Sequence, residues 1–259
     1  MGGPRGLASR GSVAGSARVA LMAPDRSWRR AARDAAPVAL ALALCPLVAA
    51  MAPGPAGPIE RIEDLVSVER SMGLLFEPAV HHWVALRPWL MSAFELGYVG
   101  VHLPVMLGTL LWVWFARPAA FRHVRNMFVS AQAMLAAGYV LVPTAPPRMV
   151  ASLGYHGVVD VGSKGLERLA MSPYAALPSG HAAFAAMVTG TVVCLARNPV
   201  VRGAALLYPP LVLVEIFATG NHIWLDAVAG VSVAALALGL ARVVERRAAP
   251  ELQPEPQPA

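Results

Sequence analysis

Leu177-Pro178-Ser179-Gly180-His181 and Gly220-Asn221-His222-Ile223-Trp224-Leu225-Asp226 are the two stretches that decide how this chain folds. Each opens an apolar run and carries a histidine for which a purely structural helix has no use. The runs that follow them, about 179–196 and 222–242, approach the ~20 residues a helix needs to cross a bilayer. Four more runs of that kind lie at about 36–53, 90–116, 125–143 and 201–219. The Gly and Pro residues inside them are tolerated in membrane bundles, where neighbouring helices satisfy the freed backbone groups. The runs at 179–196 and 222–242 are rich in Ala, Gly and Ser, which lets helices approach closely.

The chain is 57% hydrophobic and only 14% charged, which excludes an ordinary soluble domain and predicts an all-α, polytopic membrane helix bundle of about six spans. A net charge of +6 does not make it a nucleic-acid binder, because Lys occurs once, at Lys164, and the Arg residues cluster between apolar runs. Residues 1–35 and 244–259 read as disordered tails, the first of them basic, on either side of a single membrane domain at 36–243. Residues 36–53 are expected to be a retained first span rather than a cleaved signal. Between the first two spans, Ile59, Ile62, Leu65, Val66, Met72 and Leu75 recur at near-helical spacing among Glu60, Arg61, Glu63, Asp64 and Arg70. That pattern predicts an amphipathic helix lying in the interface.

Charge sets the orientation. Arg5, Arg10, Arg18, Arg26, Arg29, Arg30 and Arg33, then Arg117, Arg122, Arg125, Arg197, Arg202, Arg242, Arg246 and Arg247, place 15 basic residues on one side. The other six of the 21 are Arg61, Arg70, Arg87, Arg148, Lys164 and Arg168. The positive-inside bias makes both termini cytoplasmic in a multi-pass cell-membrane protein. Arg148 and both histidine turns then face outward together.

Ser179 is expected to cap the helix that follows it, and Gly180 to let the backbone approach a ligand. Free amides at a helix amino end bind anions, and His181 on that first turn could bond a phosphate oxygen or protonate a leaving alkoxide. His222 and Asp226, at i,i+4, share a helix face, so the carboxylate can orient the imidazole and free its other nitrogen as a nucleophile. Arg148, at the outer end of the third span, brings a planar fork that suits phosphate.

Taken together, Pro178-Ser179-Gly180-His181, His222-x-x-x-Asp226 beginning 41 residues after His181, and the upstream Pro146-Pro147-Arg148 resemble the type 2 phosphatidic acid phosphatase superfamily. Thr144-Ala145-Pro146-Pro147-Arg148 and Gly220-Asn221-His222 with Asp226 look most like the branch that holds fungal inositol phosphorylceramide synthase and its bacterial relatives. The resemblance spans roughly 60–240. It implies a six-helix bundle and a metal-independent phosphatase or phosphotransferase without cofactor. The positions matching His222, Asp226 and His181 would be nucleophile, orienting carboxylate and acid, with Ser179, Gly180 and Arg148 on the phosphoryl oxygens. The substrate implied is a phospholipid or lipid phosphate, with water or an alcohol such as inositol as acceptor.

The chain departs from the broad pattern at two motifs. Leu141 and Met149 stand where the first motif has its lysine and proline. Glu215 and Ile216 stand where the third has a Ser-Arg pair. The synthase-like branch also lacks that arginine.

Glu95 and His102 are expected to share a face of the second span, lining a cavity or bonding between helices, and Glu215 is similar. His81, His82, His123 and His156 read as interfacial or loop residues. Loop 149–176, with Met149, Val150, Leu153, Tyr155 and Met171, could shape an acceptor or head-group site. Cys45 and Cys194 both fall in apolar runs and read as core thiols, and no Cys/His cluster has metal-ligand spacing. A transporter or scaffold of the same fold is the alternative, favoured by the intramembrane Glu95, His102 and Glu215.

Overall fold

The computed structural model describes residues 28–156 and 172–248. Met171, most of the amino-terminal tail and 249–259 lie outside the described residues. Among those described, the chain is helical, with one isolated parallel bridge between Thr144 and Ala175.

Helix α1 (Trp28–Ala50) begins eight residues before the expected start at 36. Its first turns are anchored. Asp34 accepts a hydrogen bond from Trp114 Nε1 (3.2 Å) and pairs with Arg125 Nη1 (3.3 Å). The last helix likewise runs past the expected end at 243, because His123 Nδ1 meets Glu245 Oε2 at 2.9 Å. His123 is thus a helix–helix tie at the basic end of the bundle.

The amphipathic stretch forms two helices, α2 (Ala56–Ser71) and α3 (Glu77–Ala85). The expected second span is α4 (Pro88–Gly100) and α5 (His102–Ala116), bent by 48° between Glu95 and His102. Then follow α6 (Pro118–Leu141), α7 (Gly180–Leu195), the pair α8 (Pro199–Leu206) and α9 (Tyr208–Ala218), and α10 (Trp224–Ala248).

Three helices have the length and hydropathy of a membrane span, Trp28–Ala50, Pro199–Ala218 and Trp224–Arg247, and the bent α4–α5 pair makes a fourth. The 16 residues of α7 rise only about 24 Å, short of the ~30 Å hydrocarbon core. Helix α6 is 24 residues long but carries Arg122 and Arg125 near its start. The outer face of the bundle is apolar as well as its core: Leu40 is 71% and Leu96 70% exposed, with Leu111, Leu211 and Leu236 alongside. A bundle apolar on both faces is built for lipid.

Helices α6, α7 and α10 form the centre, where Ala131, Ala183 and Ala237 are wholly buried. At Gly230 a Cβ would lie 2.1 Å from the carbonyl oxygen of Ser179, so α10 and the start of α7 meet backbone to backbone.

The apolar face of α2 does not lie free in an interface. Ile62 and Val66 pack on Ala145, Val150, Leu153 and Ile223, while Glu60, Glu63 and Asp64 point away, exposed. Ala145 N–H donates to Pro58 O (3.1 Å), and Arg61 Nη1 donates to Pro143 O. An amphipathic helix buries its stripe on the nearest apolar surface, and here that surface is the loop after α6 and the approach to α10.

Candidate active site

The turn before α10 carries His222. Gly220 sits at φ +62°, and a Cβ there would lie 2.5 Å from the ring of Tyr155, so only glycine fits the turn. Asp226 stands at the third position of α10 and reaches back, its Oδ2 accepting from Ile223 N–H at 3.0 Å, half of a capping box. The next two free amides are taken from afar: Trp224 N–H donates to Glu77 Oε1 (2.6 Å) and Leu225 N–H to Glu69 Oε1 (2.7 Å). Three buried carboxylates thereby hold the positive end of one helix. Burial pushes the Glu69 carboxyl up to about 7, and that of Glu77 upward as well.

His222 is buried, and its Nδ1 lies 2.9 Å from the carbonyl oxygen of Ala176 and 3.6 Å from Asp226 Oδ2. A carbonyl only accepts, so Nδ1 carries the hydrogen and Nε2 keeps its lone pair. Sequence spacing assigned that orientation to Asp226 alone. In the structure the Ala176 carbonyl makes the closer contact, and Asp226 is at ion-pair distance behind it.

Ser179 is the N-cap of α7. Its Oγ accepts from Ala182 N–H (3.3 Å), and its own N–H donates to Asp226 O (2.9 Å). Ser179 is fully buried, and Gly180, next to it, lines the cavity beside the histidines. The His181 ring stacks on Tyr98 (centroids 4.1 Å apart, planes at 15°) and on His102 (4.4 Å, 27°). Its Nε2 has a long, 3.3 Å contact with Tyr98 O. His102 Nε2 is 2.9 Å from His181 O, and Tyr208 Oη is 2.8 Å from His102 Nδ1, so His102 braces the histidine turn. The rings of His181 and His222 are 5.8 Å apart.

Two cavities meet at His222. One, of about 160 Å³, lies under both histidines and Gly180 and runs between α1 and α6. The other, about 40 Å³, is lined by Arg148, Asn221, Ser172 and Ala176. Arg148 Nη1 donates to Asn221 Oδ1, and its backbone N–H to Gly220 O (2.9 Å), so the guanidinium is locked to the turn that carries His222. The six residues expected from sequence are thus brought to one place.

Other expectations are corrected. His81 is no loop residue: it is buried, its Nδ1 2.7 Å from Ala218 O and its Nε2 accepting from His156 N–H (3.0 Å). Val150 and Leu153 pack beneath α2 and Tyr155 beneath Gly220, so they support the site, while Ser172 and Ala176 of that loop line it. Glu215 packs against α4 at Gly97, where a Cβ would fall 2.9 Å from its carboxyl. Sequence reading missed Glu69, Glu77, Tyr98 and Asn221. Only Glu69 left a signal, since it continues the buried stripe Ile62–Val66 at helical spacing. Among the described residues no His/Cys/Asp/Glu group has the arrangement of a metal site.

Such a fold and site define a membrane-embedded helical bundle with paired histidine turns at the mouth of an apolar cavity. Residues 63–240, more than half of the chain, match the family model of the PAP2 superfamily, and the chain belongs to that superfamily. No match was found among curated proteins or among solved structures.

Proposed function

We propose that this protein is an integral membrane lipid-phosphate phosphatase or phosphotransferase that works through a phosphohistidine on His222. The observation that carries the reading is the Nδ1 contact of His222 with Ala176 O. It leaves Nε2 as the free nitrogen at the junction of two cavities, one reaching His181 and the other Arg148.

In the first step Nε2 of His222 attacks phosphorus, the bond from phosphorus to the lipid oxygen breaks, and His181 gives its proton to the departing alkoxide. With the Nε2 hydrogen of His181 directed at Tyr98 O, the acid is the imidazolium form, whose second proton sits on Nδ1 and is the one transferred. Arg148 and the Gly180 amide hold the phosphoryl oxygens, while Ser179 keeps the α7 turn in place. In the second step water attacks phosphorus and loses its proton to Nδ1 of His181, the bond from phosphorus to Nε2 of His222 breaks with its electron pair returning to Nε2, and free phosphate leaves. An alcohol in place of water makes the same site a transferase, as the motif likeness to the inositol phosphorylceramide synthase branch suggests.

Six spans with both termini cytoplasmic, supported by the 15-to-six division of basic residues, put this chemistry at the extracytoplasmic face. The test is to incubate the purified chain with a ³²P-labelled lipid phosphate, with and without inositol, and to look for acid-labile label on the protein. Label on the wild type and none on His222→Ala is expected, with turnover lost by orders of magnitude. Wild-type turnover by His222→Ala refutes the mechanism, and release of phosphate alone with inositol present removes the transferase reading.

A further inference from the structure

Gln132 is a buried amide at the far end of the larger cavity. It lies on α6, is only 9% exposed, and lines the void together with Leu135, Phe184 and both histidines. Its Nε2 donates to Cys45 Sγ of α1 (3.2 Å), a weak acceptor, and no hydrogen bond reaches its Oε1 from the described residues. A polar group in the hydrocarbon layer without a good partner is costly and by default points to function.

The depth of that group is set by the helix. Tyr139 lies next to Gly180 at the histidine end, where a Cβ on Gly180 would be 3.0 Å from the tyrosine hydroxyl. Gln132 is seven residues back along α6, about 10 Å deeper at 1.5 Å per residue. His181 lines the larger cavity and not the smaller, so the group it protonates must leave into the larger one. A void of about 160 Å³ holds something of benzene size, which is the part of a lipid next to the phosphate and not its whole chain. Beyond Gln132 and Phe184 only a void of about 10 Å³ remains, room for about one water, so the cavity ends at this amide.

We propose that Gln132 reads the linkage region of the lipid: the leaving group carries an ester, amide or hydroxyl within about 10 Å of phosphorus that hydrogen-bonds the Gln132 amide. Gln132 is then a specificity-determining residue that separates lipids with a polar linkage from a polyprenyl phosphate, which is apolar beyond its phosphate and is disfavoured. The proposal rests on the reading of the histidine pair as the phosphoryl-transfer site. The ligand's polar group would pair with Oε1, or take the Nε2 hydrogen that now goes only to sulfur.

The experiment uses the full chain in nanodiscs with diacylglycerol phosphate, ceramide phosphate and a polyprenyl phosphate, and with a phosphonate analogue of each for binding. Hydrolysis gives kcat/KM and the phosphonates give Kd for the wild type, Gln132→Leu, Gln132→Met and Cys45→Ala. The wild type is expected to favour the ester or amide lipid. Both Gln132 variants should lower its kcat/KM and raise its Kd about tenfold, the scale of one hydrogen bond, and leave the polyprenyl compounds within twofold. Cys45→Ala should keep the preference. Equal effects on all three lipids, no effect, or loss of the preference in Cys45→Ala, which would mark the pair as an α1–α6 clamp, overturns the proposal. Should no phosphate ester turn over, the catalytic reading falls, and the phosphonate Kd values still decide the role of Gln132.

Discussion

Replacing Gly230 with alanine tests the claim that the two histidine turns are held in register by backbone contact. The new Cβ would lie 2.1 Å from Ser179 O, 3.1 Å from Ser179 C and 3.3 Å from Ala183 N, all main-chain atoms of the turn that bears His181. An ordinary contact needs about 3.5 Å, so the start of α7 must withdraw from α10 by more than an ångström. That motion breaks the 2.9 Å bond from Ser179 N–H to Asp226 O and carries His181 away from His222. Overpacking of this kind costs about 1–3 kcal/mol, and a lost buried hydrogen bond about 1 kcal/mol more. A misplacement of 1 Å between reacting groups costs on the order of a hundredfold in rate. Gly230→Ala should therefore lower kcat on a lipid phosphate by about that factor and lower the Tm in detergent by several degrees. Gly239→Ala is the matched control: the same helix, nothing within 4 Å, and a gain of about 0.5–1 kcal/mol from helix propensity. Wild-type rate and Tm in Gly230→Ala would refute the idea that this contact sets the site.

Removing the acid should matter most where the leaving group is poor. His181→Ala is expected to slow an alkyl phosphate by 10²–10⁴-fold and an aryl phosphate with a good leaving group far less, read as kcat/KM on the two. Glu69 should make stability depend on pH. Its folded carboxyl titrates near 7 against 4.5 unfolded, so the folded state holds the extra proton between those values. The stabilisation is complete below about pH 4.5 and is lost as pH rises through about 7. Tm should fall across that window, and Glu69→Gln should flatten the slope; an unchanged slope in the variant assigns it elsewhere. Gly220→Ala adds a Cβ 2.5 Å from Tyr155 at φ +62°, so it should lower both Tm and activity, and Tyr155→Ala in the same chain should restore only part of each because the φ strain persists.

Much of the site was legible because its residues follow local rules. His222 and Asp226 come within 3.6 Å as their spacing suggests, although His222 lies in the turn before α10 rather than on a helix face, and Ser179 caps α7 as a serine before an Ala-rich run should. The orienting contact was not legible, because the Ala176 carbonyl lies 46 residues upstream and a backbone oxygen leaves no mark in the residue type. Glu69 and Glu77 were hidden for a related reason. Nothing in a lone glutamate marks it for burial, and the amides that give these two buried partners lie at the start of α10, some 150 residues later. The bend between α4 and α5 escaped because Gly100 and Pro104 are residues that a single span tolerates, and it coincides with the stacking of Tyr98 and His102 on His181.

By itself the sequence determined the membrane helix bundle and the identity of the paired histidine turns. Those follow from composition and from short spacings along the chain, where neighbours in the chain are neighbours in space. Only the tertiary structure decided which nitrogen of His222 is free, that Arg148 is tied to Asn221, and that Gln132 lines the cavity and meets Cys45 there. Each of these depends on atoms from separate helices meeting at hydrogen-bond distance, and the packing of α1, α2, α6, α7 and α10 alone sets that.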